Sequence, residues 1–99
     1  MEIRFDNRVA IVTGAGVGLG RAHALGLAAR GARVVVNDLG VSRDGTGSSS
    51  EAALSVVEEI KAMGGEAIAH GADVSDEDAV KDIIAQAMAK WGRIDIAVN

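Results

Sequence analysis

Four glycines stand on alternate positions in Thr13-Gly14-Ala15-Gly16-Val17-Gly18-Leu19-Gly20, and Asp38 follows 18 residues after the last of them. Glycine has no Cβ, so such a run can take positive φ angles and bring bare main chain against a ligand. Where the run opens a helix, the unsatisfied N–H groups and the positive helix end receive an anion, most often a phosphate. A carboxylate at the end of the following strand, at the spacing of Asp38, can accept both hydroxyl protons of a ribose. The combination is a cradle for a nucleotide diphosphate with a grip on the adjoining sugar. The bland alternatives are a glycine-rich turn with no ligand and, for Asp38, an ordinary strand-end turn residue. A strand before the loop, a helix after it and the spacing of Asp38 favour the ligand reading.

Such a loop has to be held between rigid elements, and the flanking sequence supplies them. Val9-Ala10-Ile11-Val12 is continuously apolar and stops at Thr13-Gly14, which predicts a strand buried on both faces. Leu19 to Arg30 predicts a helix with a small-residue face of Ala22, Leu25, Gly26 and Ala29, ended by Gly31. Ala32 to Asn37, centred on Val34-Val35-Val36, predicts a second buried strand that delivers Asp38. Gly40 to Ser50 is rich in Gly, Ser and Asp without hydrophobic period, so a solvated, mobile loop is expected. Ser48 and Glu51 have capping-box spacing ahead of a helical stripe of Ala53, Val56, Val57 and Ile60, closed by Gly64-Gly65. Glu66 to His70 predicts a short third strand. Ser75 is the expected N-cap of a third helix, with Asp76, Glu77 and Asp78 at its positive end and Val80, Ile83, Ile84, Ala87 and Trp91 on one face. Gly92 ends it, and Ile94 to Val98 forms a fourth strand before Asn99. The order β-α-β-α-β-α-β predicts a doubly wound parallel α/β sheet with right-handed crossovers.

Composition agrees and sets exclusions. At 99 residues one small domain is the maximum, and 48% apolar residues with one Phe, one Trp and no Tyr suit a tightly packed parallel sheet. The net charge is −4 and the basic residues are scattered, so no concentrated field exists for nucleic acid. Without cysteine there are no disulfides or thiolate metal sites, as suits a reducing compartment. No apolar run approaches the ~20 residues of a membrane span, and Glu2, Arg4 and Asp6 interrupt any signal-peptide pattern. The default expectation is a soluble cytoplasmic protein with no membrane partner. His23 and His70 have no metal-ligand spacing and are expected on a helix surface and a strand end. Asp76, Glu77, Asp78 and Asp82 are explained by helix-dipole complementarity. Arg21 is expected to be solvated, with diphosphate neutralisation as its alternative role, and Trp91 to be core.

The spacing of Thr13, Gly14, Gly18 and Gly20, Thr-Gly, three residues, then Gly-x-Gly, resembles the cofactor loop of the short-chain dehydrogenase/reductase family. The commoner dinucleotide fingerprint would need glycine where Leu19 stands. The resemblance runs from Arg8 to Asn99 and implies the first half of a Rossmann-type NAD(P)-binding domain, residues 1–99 ending after the fourth strand. Standing alone, such a piece is expected to be sticky or partly disordered, because a sheet face and a strand edge lack partners. The resemblance implies cofactor contacts from Thr13, Gly14, Gly16, Val17, Gly18, Leu19 and Gly20 to the diphosphate and from Asp38 to the ribose. It also implies contacts from Asp73 and Val74 to adenine and from Asn99 to the adenosine ribose. Asp73 serves equally well as a turn residue before the helix. The carboxylate of Asp38 favours NAD; a 2′-phosphate would meet its charge, and Ala15, Val17 and Leu39 offer no basic side chain. NADP is the second choice, with Arg43 its nearby partner.

The family's catalytic Ser, Tyr and Lys, and its catalytic Asn, have no counterpart here: Tyr is absent and Lys61, Lys81 and Lys90 fall on predicted helices. The 99 residues alone are expected to be inactive, while the complete enzyme is expected to act on a small-molecule substrate and to form a homo-oligomer. A narrower likeness rests on Asn37-Asp38-Leu39-Gly40, the loop after it, and Val56-Val57-Glu58-Glu59-Ile60 before Gly64-Gly65. It is to the (3R)-hydroxyacyl-CoA dehydrogenase branch found in peroxisomal multifunctional β-oxidation enzymes and bacterial relatives, and it implies an acyl-CoA substrate. Two other classes compete. A non-catalytic nucleotide-binding module would share every feature above, and an S-adenosylmethionine methyltransferase would share the glycines and acidic strand end but carry a carboxylate where Val12 stands.

Overall fold

Two runs of β-branched residues make the centre of the sheet: β1 (Val9–Thr13) and β2 (Arg33–Asn37), paired in parallel from Val9↔Arg33 to Thr13↔Asn37. The computed structural model describes residues 3–16, 18–38, 51–71, 73 and 75–98. Within them, β3 (Ala67–His70) adds to β2, and β4 (Ile96–Val98) adds to the opposite edge of β1. All pairings are parallel and the order is β3-β2-β1-β4, with α1 (Gly18–Ala29), α2 (Glu51–Ala62) and α3 (Glu77–Trp91) as crossovers.

Because alternate strand residues point to opposite faces, the apolar runs feed two cores. Val12, Val34 and Val36 pack with Ala24 and Ala28 of α1 and with Ala53, Val56, Val57 and Ile60 of α2. Val9, Ile11 and Val35 pack on the other face against Ile83 and Ala87 of α3. Val12 is fully buried in the first of these cores.

The stripe expected on α2 is the buried one. That of α1 is displaced: Ala24 and Ala28 are buried, while Ala22, Gly26 and Ala29 are exposed and Leu25 is half-buried. This helix is apolar nearly all round, so composition left its phase undetermined. On α3, Ile83 and Ala87 are buried but Ile84 is exposed. Trp91 is half-buried, its indole N–H reaching Glu66 at 3.0 Å. The N-cap of α3 is Asp76 rather than Ser75: the Asp76 carboxylate accepts from the amides of Asp78 and Ala79. Ser75 is already engaged, donating its hydroxyl to Asp73 at 2.6 Å. Gly92 closes α3 in the left-handed conformation, its N–H donating to the Met88 carbonyl at 2.8 Å. Ser48 and the 40–50 loop lie outside the described residues. Among the described residues no helix is long and apolar enough to cross a membrane.

The winding runs outward from β1 to β3, and the crossover through α3 then returns the chain to the other side of β1. Such a reversal opens a crevice at the carboxyl ends of the strands, where open α/β sheets take their ligands.

Candidate functional site

At that rim the glycine loop is fastened to the end of β2. The amide of Ala15 donates to the Asn37 carbonyl at 3.0 Å, and the amide of Gly16 donates to Oδ2 of Asp38 at 2.8 Å. Asp38 is itself tied to the next strand, its N–H donating to the His70 carbonyl at 3.0 Å. Thr13 ends β1 and its hydroxyl donates to the Val98 carbonyl at 3.3 Å, bridging the reversal point between β1 and β4.

The local sequence makes this tight geometry possible. Gly14 and Gly18 take φ of 64° and 58°, in the left-handed region that side chains resist. A Cβ on Gly20 would lie 2.1 Å from the Gly14 carbonyl oxygen, so only glycine lets the first turn of α1 close onto the loop. The first turn of α1 carries no acidic residue, whereas α2 begins with Glu51 and α3 with Glu77 and Asp78. The positive end of α1 therefore has no acidic side chain in its own first turn to answer its field. Leu19 lies exposed in this turn.

Thr13, Gly14, Gly16, Gly18, Gly20 and Asp38 thus converge on one rim, while Val17, Val74 and Asn99 lie outside the described residues. Asp73 acts in a turn: its Oδ1 accepts from the amide and hydroxyl of Ser75 at 2.9 and 2.6 Å. These bonds, the hydroxyl first, lower the Asp73 pKa below the usual carboxylate value.

Three pairings escaped the sequence reading. Arg21 is not a free cation beside the glycine loop; it bonds Glu59 of α2 at 2.5 Å. His70, at the end of β3, meets Asp82 of α3 through Nε2 at 2.7 Å, and Gln86 donates to the same carboxylate oxygen at 3.0 Å. Asp95 accepts from the amide of Val9 at 2.9 Å and returns its own N–H to the Val9 carbonyl at 2.9 Å. The guanidinium of Arg93, and next the Val9 amide, push the Asp95 carboxyl down to about 2. Among the described residues no group of three or more His, Cys, Asp or Glu side chains could hold a metal ion.

Comparison with known proteins gives this rim a setting. Residues 8–99 match the family model described as short chain dehydrogenase. The chain is 52% identical over 99 residues to peroxisomal multifunctional enzyme A of Dictyostelium discoideum, covering all of this chain and 22% of that protein. A crystal structure of a short chain dehydrogenase from Mycobacterium avium superposes with a TM-score of 0.86 at 57% identity, over 95% of this chain and 32% of that one. A 7α-hydroxysteroid dehydrogenase solved with NADH and 7-oxo glycochenodeoxycholic acid superposes with a TM-score of 0.82 at 40% identity, over 97% and 34%. The chain therefore spans between a fifth and about a third of the length of these relatives.

The expectation of a cytoplasmic protein is corrected by the same relatives. Besides the Dictyostelium enzyme, others at 46% to 53% identity are named as peroxisomal. The absence of cysteine and the lack of a long apolar run are compatible with several compartments, so neither could single out the cytoplasm.

Proposed function

This chain belongs to the short-chain dehydrogenase family, and from that premise we propose that it is the cofactor-binding part of an NAD-preferring oxidoreductase acting on a hydroxyl/carbonyl pair. The observation that carries the NAD preference is the 2.8 Å bond from the Gly16 amide to Oδ2 of Asp38, which holds a carboxylate against the phosphate loop. A sugar attached to a diphosphate seated on that loop would reach this carboxylate with its hydroxyls, and a 2′-phosphate there would meet like charge.

In this reading Thr13, Gly14, Gly16, Val17, Gly18, Leu19 and Gly20 surround the diphosphate, and Asp38 grips the adenosine ribose. Asp73 and Val74 border the adenine, and Asn99 lies along the ribose. The bound nicotinamide would supply the hydride acceptor or donor. The residues of this chain bind, orient and discriminate; with no Tyr among the 99, they do not include the family's proton-transfer residue. Residues 1–99 then form part of a larger Rossmann-type domain. We propose a 3-hydroxyacyl-CoA as the substrate class, on the narrower likeness carried by Asn37 to Gly40 and Val56 to Ile60, and a homo-oligomer as the complete enzyme.

Calorimetric titration with NADH, NADPH and S-adenosylmethionine tests the proposal. NADH is expected to bind most tightly, and Asp38→Ala to weaken it by about 1 to 3 kcal/mol through loss of charge-assisted hydrogen bonds. Tighter binding of NADPH would overturn the cofactor preference, and selective binding of S-adenosylmethionine would overturn the oxidoreductase reading.

A further inference from the structure

We infer that Gly16 is a specificity-determining residue: having no side chain, it lets its own amide seat the Asp38 carboxylate on the phosphate loop, and so decides which adenosine ribose the rim accepts. The inference rests on the proposed function and adds a second residue to the choice of cofactor.

The space around Gly16 is closed from two sides. A Cβ built there would lie 2.3 Å from Oδ2 of Asp38 and 3.0 Å from its Cγ, and 2.7 Å from the Cβ of Ala52 in the first turn of α2. Neither main chain is free to retreat. The loop is held to β2 by the Ala15 amide on the Asn37 carbonyl, and Asp38 is held to β3 by its amide on the His70 carbonyl. The Ala52 methyl has no torsion by which to move aside. What can yield is the Asp38 side chain, which would rotate off the loop and give up the Gly16 amide.

A carboxylate so displaced loses both of its effects. It no longer lies where the ribose hydroxyls converge, and its charge no longer guards the position of a 2′-phosphate. A substitution at Gly16 therefore acts on the difference between the two dinucleotides. A substitution at Gly20, whose Cβ would collide with the Gly14 carbonyl rather than with Asp38, distorts the diphosphate seat that both dinucleotides share.

The test is titration of the chain and its variants with NADH and with NADPH. Gly16→Ala is expected to narrow the preference for NADH over NADPH about tenfold or more, the scale of one lost charged hydrogen bond, on top of any loss the two dinucleotides share at the diphosphate. Gly20→Ala is expected to weaken both by the same factor. The double variant Gly16→Ala/Ala52→Gly removes the contact with α2 but keeps the one with the carboxylate, and it serves if the single variant does not fold. It should show the same narrowed preference. Equal losses of NADH and NADPH in the Gly16 variants, or an undiminished preference for NADH, would overturn the inference and leave the proposed function standing. Failure of the unaltered chain to bind either dinucleotide would overturn the proposed function, and the inference with it.

Discussion

Asp95 bonds Val9 with both its amide and its carboxylate, and that carboxylate also takes Arg93 at 2.7 and 2.8 Å. Its carboxyl is held down to about 2 against an ordinary 3.8, so the native state binds its proton less readily than the unfolded chain does. Its stabilising effect is fully present above about pH 4 and is lost as pH falls toward 2. Asp73, also lowered, adds to the same trend. Urea denaturation followed from pH 5 to pH 2 is expected to show a steep loss of stability, and Asp95→Asn to make that loss shallower. An unchanged slope in the variant would contradict this role. Asp95 was not legible in the sequence because its partner on β1 lies 86 residues away, and nothing local distinguishes it from a solvated acid. Gly14, Gly16, Gly18, Gly20 and Asp38 were legible for the opposite reason: their geometry is written in consecutive residues and in one strand-end spacing.

At the level of elements, the strands were readable because β1 and β2 are apolar without interruption, as sheets covered on both faces require. The phase of α2 was readable because Glu51, Glu58, Glu59 and Lys61 contrast with its apolar positions. In α1 the contrast is missing, since Ala22, Ala24, Leu25, Leu27, Ala28 and Ala29 surround the axis, and only contact with Val12, Val34 and Val36 selects Ala24 and Ala28. The start of α3 was misplaced by one residue because Ser75 and Asp76 are both good caps; the hydroxyl of Ser75 goes to Asp73, and the carboxylate of Asp76 takes the helix amides. Replacing Asp76 by Ala is expected to cost about 1 kcal/mol of stability, visible as a lower melting temperature. Ser75→Ala should cost distinctly less, and the reverse order would return the cap to Ser75.

Across the whole molecule, β4 is the thinnest part of the sheet and has an apolar groove on each side. One, of about 310 Å³, lies among Phe5, Ala22, His23, Gly26, Leu27, Arg30 and Val98. The other, of about 300 Å³, lies among Ile11, Thr13, Val80, Ile83, Ile84, Ile94 and Ala97. An edge strand flanked by such surfaces invites pairing with another chain. The 99 residues expressed alone are therefore expected to self-associate, with an apparent mass in size-exclusion chromatography that rises with concentration. A sharp monomer peak at every concentration, with slow amide exchange along Ile96 to Val98, would contradict this. Fold class was legible at this scale because the alternation of strands and helices leaves few topologies, whereas the cellular compartment was not, because packing and charge pattern do not encode it.

The contact between the first two helices has a consequence for descent. Arg21 satisfies one oxygen of Glu59, while the other, Oε2, is enclosed without a hydrogen-bond partner among the described residues. The Arg21 and Glu59 side chains are 44% and 41% exposed, so a lineage that lost the guanidinium alone would let water reach the carboxylate, at a cost of about 1 kcal/mol or less. The two positions, 38 residues apart along the chain, are thus only weakly obliged to drift together.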